Sequence, residues 1–194
     1  MFLINAGAIV GIAIGGIIAL FILFVIFWGI AKANYFKRLK VKIDESQADI
    51  EVALNKRFDL LTKQLDVCKG YVKHENQTLI DVTLARATAN KSTDINSLSE
   101  LNNDLSKLSA NISALIENYP QLKADALFVN LQTSINDVEE HLLAARRIYN
   151  SNVSIYNQDI VTYPSSIIAN MIHCTPCEFF KVEETKKQDV SMKF

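Results

Sequence analysis

Residues 6–31 read AGAIVGIAIGGIIALFILFVIFWGIA, 26 residues without a single charge. At about 1.5 Å per helical residue this run reaches about 39 Å, more than the roughly 30 Å hydrocarbon core of a bilayer. It predicts a transmembrane helix. A cleaved signal would carry its cations ahead of a shorter apolar core, whereas here they follow it. The whole chain holds 20 basic and 21 acidic residues, and none of these 41 lies before Lys32. The remaining 163 residues therefore carry charge at about 25%, an ordinary globular density.

The flanks set the expected orientation. Only residues 1–5 precede the span, as a short extracytoplasmic N-terminus, while Lys32, Lys37, Arg38, Lys40 and Lys42 form a collar over residues 32–42 before the first acid, Asp44. Cations favour the cytoplasmic side, so the C-terminal part is expected in the cytoplasm of a single-pass protein of the bacterial inner membrane. Trp28 and Tyr35 suit the water interface, and the collar suits anionic headgroups. Within the span Gly7, Gly11, Gly15 and Ala19 recur every fourth residue. They form a flat ridge on which two helices can approach closely, so self-association is expected there.

Beyond Lys32 the breakers are few: Gly70, Pro120, Pro164 and Pro176. Phe36, Leu39, Ile43 and Ile50 open a heptad pattern, with Ser46 at one seam position. Asp59 offers an N-cap for a second helix through Leu61, Leu65, Cys68, Val72, Leu79 and Val82. Residues 90–96 read as a loop, and Ser97-Leu98-Ser99-Glu100 has capping-box spacing. Leu98, Leu101, Leu105, Leu108, Ile112, Leu115 and Tyr119 then alternate steps of three and four, which keeps one stripe on a partner. Pro120 fits the first turn of a last helix through Phe128, Leu131, Ile135, Val138, Leu142, Ala145, Tyr149 and Tyr156, stopped by Pro164. The expected fold is all-α: a transmembrane helix followed by an antiparallel up-down bundle of four long helices over residues 43–163.

An even number of bundle helices returns the chain to the membrane at Pro164. Residues 164–180 are apolar there, with Ile167, Ile168, Met171, Ile172, Phe179 and Phe180 forming a foot that contacts either lipid or the end of the bundle. The polar tail 181–194 is expected to be flexible.

Composition excludes much chemistry. Gly70 alone of six glycines lies outside the span, so phosphate-cradling loops and nucleophile elbows lack their residues. Residues 43–194 carry 15 basic and 21 acidic residues, net −6, which gives no general attraction to nucleic acid. His74-Glu75 begins like a zinc-protease helix, but Thr78 stands where the second His is required. His74 and His141 follow Tyr71 and Val138, so neither has the Glu-x-x-His spacing of a di-iron bundle. No cofactor or metal is expected. Cys174-x-x-Cys177 has redox or half-zinc spacing but no βαβ surroundings, so the thiols read as incidental or as a transient pair. Glu75, Arg86, Glu139, Arg146, Asn150 and Asn157 lie at or beside seam positions. Buried charge needs a partner, which points to an interhelical polar layer or else to a recognition groove.

Specific residues resemble the LemA family of small membrane-anchored bacterial proteins. They are Ile50-x-Val52-x-Leu54-x-x-Arg57-x-Asp59-Leu60, Lys69-Gly70-Tyr71-x-x-His74-Glu75, and Leu79, Val82, Ala85 and Arg86. They continue as Tyr119-Pro120-x-Leu122-Lys123-Ala124, Phe128, Leu131-Gln132 and Glu139. The last group is Ala145-Arg146-Arg147-x-Tyr149-Asn150-x-x-Val153-x-x-Tyr156-Asn157-x-x-Ile160, with Pro164 and the pair Phe179-Phe180. The resemblance implies an N-terminal span, a helical bundle and no established catalytic activity. Thr62 departs from a frequent proline, so the first two helices could be continuous; His173-Cys174-Thr175-Pro176-Cys177 replaces a usual glycine and aromatic. The expected function is a non-enzymatic membrane-anchored scaffold or adaptor that self-associates and recruits partners. Its partners would be the bilayer, copies of itself, and a membrane or cytoplasmic protein, a membrane protease among the candidates. The alternatives are a membrane-surface binding or remodelling protein and, behind it, a hydrolase or redox enzyme.

Overall fold

The computed structural model describes the backbone of residues 6–71 and 94–181, with side chains from residue 9 onward. The described chain is all-helical: α1 (Ala6–Lys69), α2 (Ile95–Asn118), α3 (Pro120–Ala124), α4 (Ala126–Val161) and α5 (Ser165–Met171), followed by backbone without regular secondary structure to Lys181.

Helix α1 is longer than the sequence reading expects, because span, collar and first bundle helix form one element of 64 residues. Asp59 caps nothing: it lies in the helix interior, where the N–H groups that follow it already have intrahelical acceptors. No glycine or proline occurs between Gly29 and Gly70, and the buried stripe Ile43, Ile50, Leu54, Leu61, Leu65 and Cys68 stays in phase through Asp59. Thr62 tolerates its interior position by returning its hydroxyl to the Phe58 carbonyl at 2.8 Å.

Two other boundaries move for capping reasons. Helix α2 starts at Ile95, not after Ser97, since the Asp94 carboxylate accepts from Asn96 N at 3.3 Å. The expected single helix from Pro120 is interrupted at Asp125, whose carboxylate takes Leu127 N at 2.9 Å and Phe128 N at 3.1 Å and so starts α4 afresh. Those bonds and a third from the Tyr71 hydroxyl hold the Asp125 carboxyl below its usual range. Pro120 occupies the first turn of α3, as its missing N–H predicts.

The chain divides into two compact units. In the unit formed by Ile43–Val153 and Glu178–Phe194, α1 and α4 run antiparallel. The pairs Ser46–Asn152, Arg57–Glu139, Gln64–Gln132 and Tyr71–Asp125 follow one another along both helices in opposite order. The α2 residues Asn102 and Ser106 join Arg57, so three long helices meet at that side chain. Leu105, Leu108, Ile112, Leu122, Ile135 and Leu142 are buried with the α1 stripe, each contributing about 1.5–3 kcal/mol by leaving water. The later part of the expected second bundle helix, with Val72, Leu79 and Val82, falls outside the described residues.

The other unit comprises Met1–Lys42 and Ser154–Cys177. Its apolar span is exposed on all sides from Ile9 to Phe27, and coverage begins at Trp28. Phe36 is buried edge-on against Tyr156, with ring centroids 6.2 Å apart and planes at 90°. Helix α5 ends in a Schellman motif: Cys174 N donates to Ala169 O at 2.9 Å and His173 N to Asn170 O at 3.2 Å. His173 thereby takes the left-handed position, φ 56°, that glycine fills without steric cost. His173→Gly is expected to stabilise the protein by roughly 0.5–1 kcal/mol, read as a raised thermal midpoint in detergent. A lowered midpoint would mean that the imidazole itself contributes more than the backbone strain costs.

Candidate functional site

The seam position between Leu54 and Leu61 is occupied by a charge. Arg57 is 5% exposed. One guanidinium nitrogen donates to Asn102 Oδ1 at 3.2 Å and Ser106 Oγ at 3.3 Å; the other contacts Glu139 Oε1 at 2.7 Å. Among the described residues, Arg57 Nε has no hydrogen-bond partner. Burial pulls the Arg57 pKa below its ordinary value and the Glu139 carboxylate opposes that shift. Glu139 sits at the rim, its side chain 41% exposed. Two turns toward Cys68, the buried Gln64 amide donates to Gln132 Oε1 at 2.8 Å, while buried Ser46 accepts from Asn152 Nδ2 at 3.3 Å.

Arg146, one of the residues expected in a polar layer or a recognition groove, meets an aromatic ring. Arg146 places its guanidinium over the Phe180 ring, 5.5 Å from the centroid, and its Nε donates to Leu142 O at 3.3 Å. Its pKa is lowered, first by burial and then by the nearby Arg57 charge. Arg57 is the residue that sequence reasoning passed over as a site, although its phase with Ile50, Leu54 and Leu61 was readable.

Among the described residues, the side-chain amides of Asn150 and Asn157 each clamp the segment that follows α5. Asn157 Oδ1 accepts from Cys177 N at 2.9 Å and its Nδ2 donates to Cys177 O at 2.8 Å. Asn150 treats Phe180 the same way, at 2.9 and 3.2 Å. A side-chain amide has one donor edge and one acceptor edge, so it reproduces the paired exchange that one residue of a β-ladder makes with its neighbour. The Tyr149 hydroxyl adds a bond to Glu178 O at 2.9 Å. The duplicated Tyr-Asn at 149–150 and 156–157 was the available signal.

Both thiols of the Cys174-x-x-Cys177 pair are half-buried and reduced, and Lys40 Nζ lies 3.6 Å from Cys177 Sγ. Cys68 is a buried seam residue whose thiol is pushed up to about 11 by desolvation. Among the described residues no three His, Cys, Asp or Glu side chains converge as metal ligands. Glu75 and Arg86, and with them His74, lie outside the described residues. A groove of about 380 Å³ runs between α1 and α4, lined by Asp49, Val52, Lys56, His141, Ala145 and Ile148, with Val52 and Ile148 largely exposed. In the span, no described atom outside the local helix backbone lies within 4 Å of where a Cβ would stand on Gly11, Gly15 or Gly16.

A profile of the LemA family matches residues 46–194. The chain belongs to the LemA family. It is similar to "Protein LemA" of Metamycoplasma hominis, 28% identical over 162 residues that cover 83% of this chain and 74% of that protein. The matched LemA region opens at Ser46 and contains the Arg57 node and both asparagine clamps, whereas the uncharged span precedes it.

Proposed function

We propose that this LemA chain is a non-enzymatic, single-pass scaffold of the bacterial inner membrane that associates with itself in the bilayer and recruits protein partners at the cytoplasmic face. The observation that carries the reading is the open glycine ridge: Gly11 and Gly15 leave room for a second backbone on a helix whose flanking isoleucines are exposed. In lipid, close packing is the main attraction between helices, so a flat ridge of this kind favours a second copy. Gly7 and Ala19 extend the ridge by one turn in each direction. The collar of Lys32, Lys37, Arg38, Lys40 and Lys42 favours a cytoplasmic C-terminal part and anionic lipid. The groove beside Val52 and Ile148 supplies an apolar surface with His141, Asp49 and Lys56 at hand, chemistry suited to a partner helix.

Crosslinking in intact membranes is expected to give homo-oligomers from the native chain. Gly11→Ile is expected to abolish most of that product, because a branched side chain on the ridge holds the backbones apart. A monomer in both cases, or an oligomer indifferent to the substitution, would remove the ridge from the account.

A further inference from the structure

After the span, the longest stretch without Asp, Glu, Lys or Arg is residues 160–177, 18 residues that contain α5. Its packing inverts what a water-facing helix would show. Ser165 and Ala169 are buried, at 5% and 1% exposure, while Ile167 and Met171 stand 45% and 70% exposed. At 100° per residue the two pairs lie on nearly opposite faces, small inward and large outward. Tyr163 and Val161, just before α5, are exposed as well. A surface element in water gains by the reverse orientation, because each large apolar side chain left exposed forgoes about 1.5–3 kcal/mol.

The location of α5 supplies the occupant. Ile168 Cδ1 lies 3.5 Å from the position a Cβ would take on Gly29, and Gly29 belongs to the last uncharged turn of α1. Lys32 follows three residues later, about 4.5 Å along the axis. In the same unit Lys32 stacks over the Tyr35 ring, 4.7 Å from its centroid, the pairing of cation and amphipathic ring that suits a headgroup layer. The outward face of α5 is therefore continuous with the exposed, lipid-suited surface of the span at the depth where hydrocarbon gives way to headgroups.

We propose that α5 is a second membrane contact: it lies in the interface against the charged end of the span, with Ile167 and Met171 in the acyl boundary and Tyr163 among the headgroups. Ile168 seats against α1 at Gly29, so the foot and the span present one apolar surface. The inference rests on membrane anchoring by α1, and the test separates the two. A helix lying in this plane buries its apolar face about 5–10 Å below the surface.

The test uses the full chain with Trp28→Phe, reconstituted in phosphatidylcholine–phosphatidylglycerol vesicles, with tryptophan introduced by Met171→Trp or, independently, Ile167→Trp. Ile18→Trp reports the span and Ser113→Trp an exposed position of α2. The Met171→Trp and Ile167→Trp proteins are expected to emit to the blue of Ser113→Trp, to lose intensity to lipids brominated near the headgroup, and to resist iodide. Emission and iodide quenching matching Ser113→Trp, with Ile18→Trp quenched by lipids brominated deep in the chain, overturns the foot and leaves the anchor standing. An Ile18→Trp protein quenched by iodide overturns both. Protection of the Met171→Trp and Ile167→Trp proteins from bromolipid and iodide alike means that protein covers the face, and it also overturns the proposal.

Discussion

Glu139→Ala lowers the stability of the protein by roughly 2–3 kcal/mol, more than Arg57→Met does, although Arg57 is the buried member of the pair. Removing one partner of a buried ion pair leaves an uncompensated charge and costs about 3–5 kcal/mol. Here the figure is reduced because the Glu139 side chain is 41% exposed, so its charge is partly screened by water. What remains is large, since the Arg57 guanidinium cannot follow its partner into solvent and already feels the neighbouring charge of Arg146. Arg57→Met removes the charge and keeps most of the volume. It strands only Asn102 and Ser106 as polar groups and leaves Glu139 at the rim, for about 1 kcal/mol. Thermal melts in detergent read both, at roughly 2–4 °C per kcal/mol for a chain of this size. If Arg57→Met proves the more damaging, the node is stabilised by its hydrogen bonds to α2 rather than by the pairing of charge.

Asn157→Leu abolishes two hydrogen bonds to the backbone of Cys177, worth about 1 kcal/mol each. The effect is local. At about 1.4 kcal/mol per decade, the amide of Cys177 is expected to exchange roughly 30-fold faster in native-state hydrogen exchange, while the melting midpoint moves little. Asn157→Asp is a sharper probe. Its carboxylate still accepts from the Cys177 amide but faces the Cys177 carbonyl with no donor, whereas the protonated acid restores the donor. That contact favours the protonated form and raises the pKa above the ordinary 3.9 or so. The clamp of the variant is therefore present below that ordinary value and lost as pH rises through the higher one, whereas the native amide is indifferent to pH. Unchanged exchange at Cys177 in both variants would show that the segment is held by other contacts.

The span and the helices with regular stripes were legible because hydrophobicity and heptad phase are local properties. Leu98, Leu101, Leu105, Leu108, Ile112 and Leu115 read as one face, and all six are buried. Cap positions were less legible: Asp59 and Asp125 are the same residue type at a plausible helix start, yet only Asp125 has free N–H groups after it to accept from. Arg57 was hidden by its type, since a charge at a seam position interrupts the apolar pattern that would reveal it.

By itself the sequence determined where the chain is uncharged, where the collar lies, and which faces of α1, α2 and α4 turn inward, because each follows from composition over a few helical turns. The tertiary structure decided which groups meet: Arg57 with Glu139 across 82 positions, Arg146 with Phe180, Asn157 with the Cys177 backbone, Asn150 with the Phe180 backbone, and Ile168 with Gly29. Such pairings depend on the register between segments far apart in the chain. That register follows from how all the buried faces pack together, and no short window of sequence contains it.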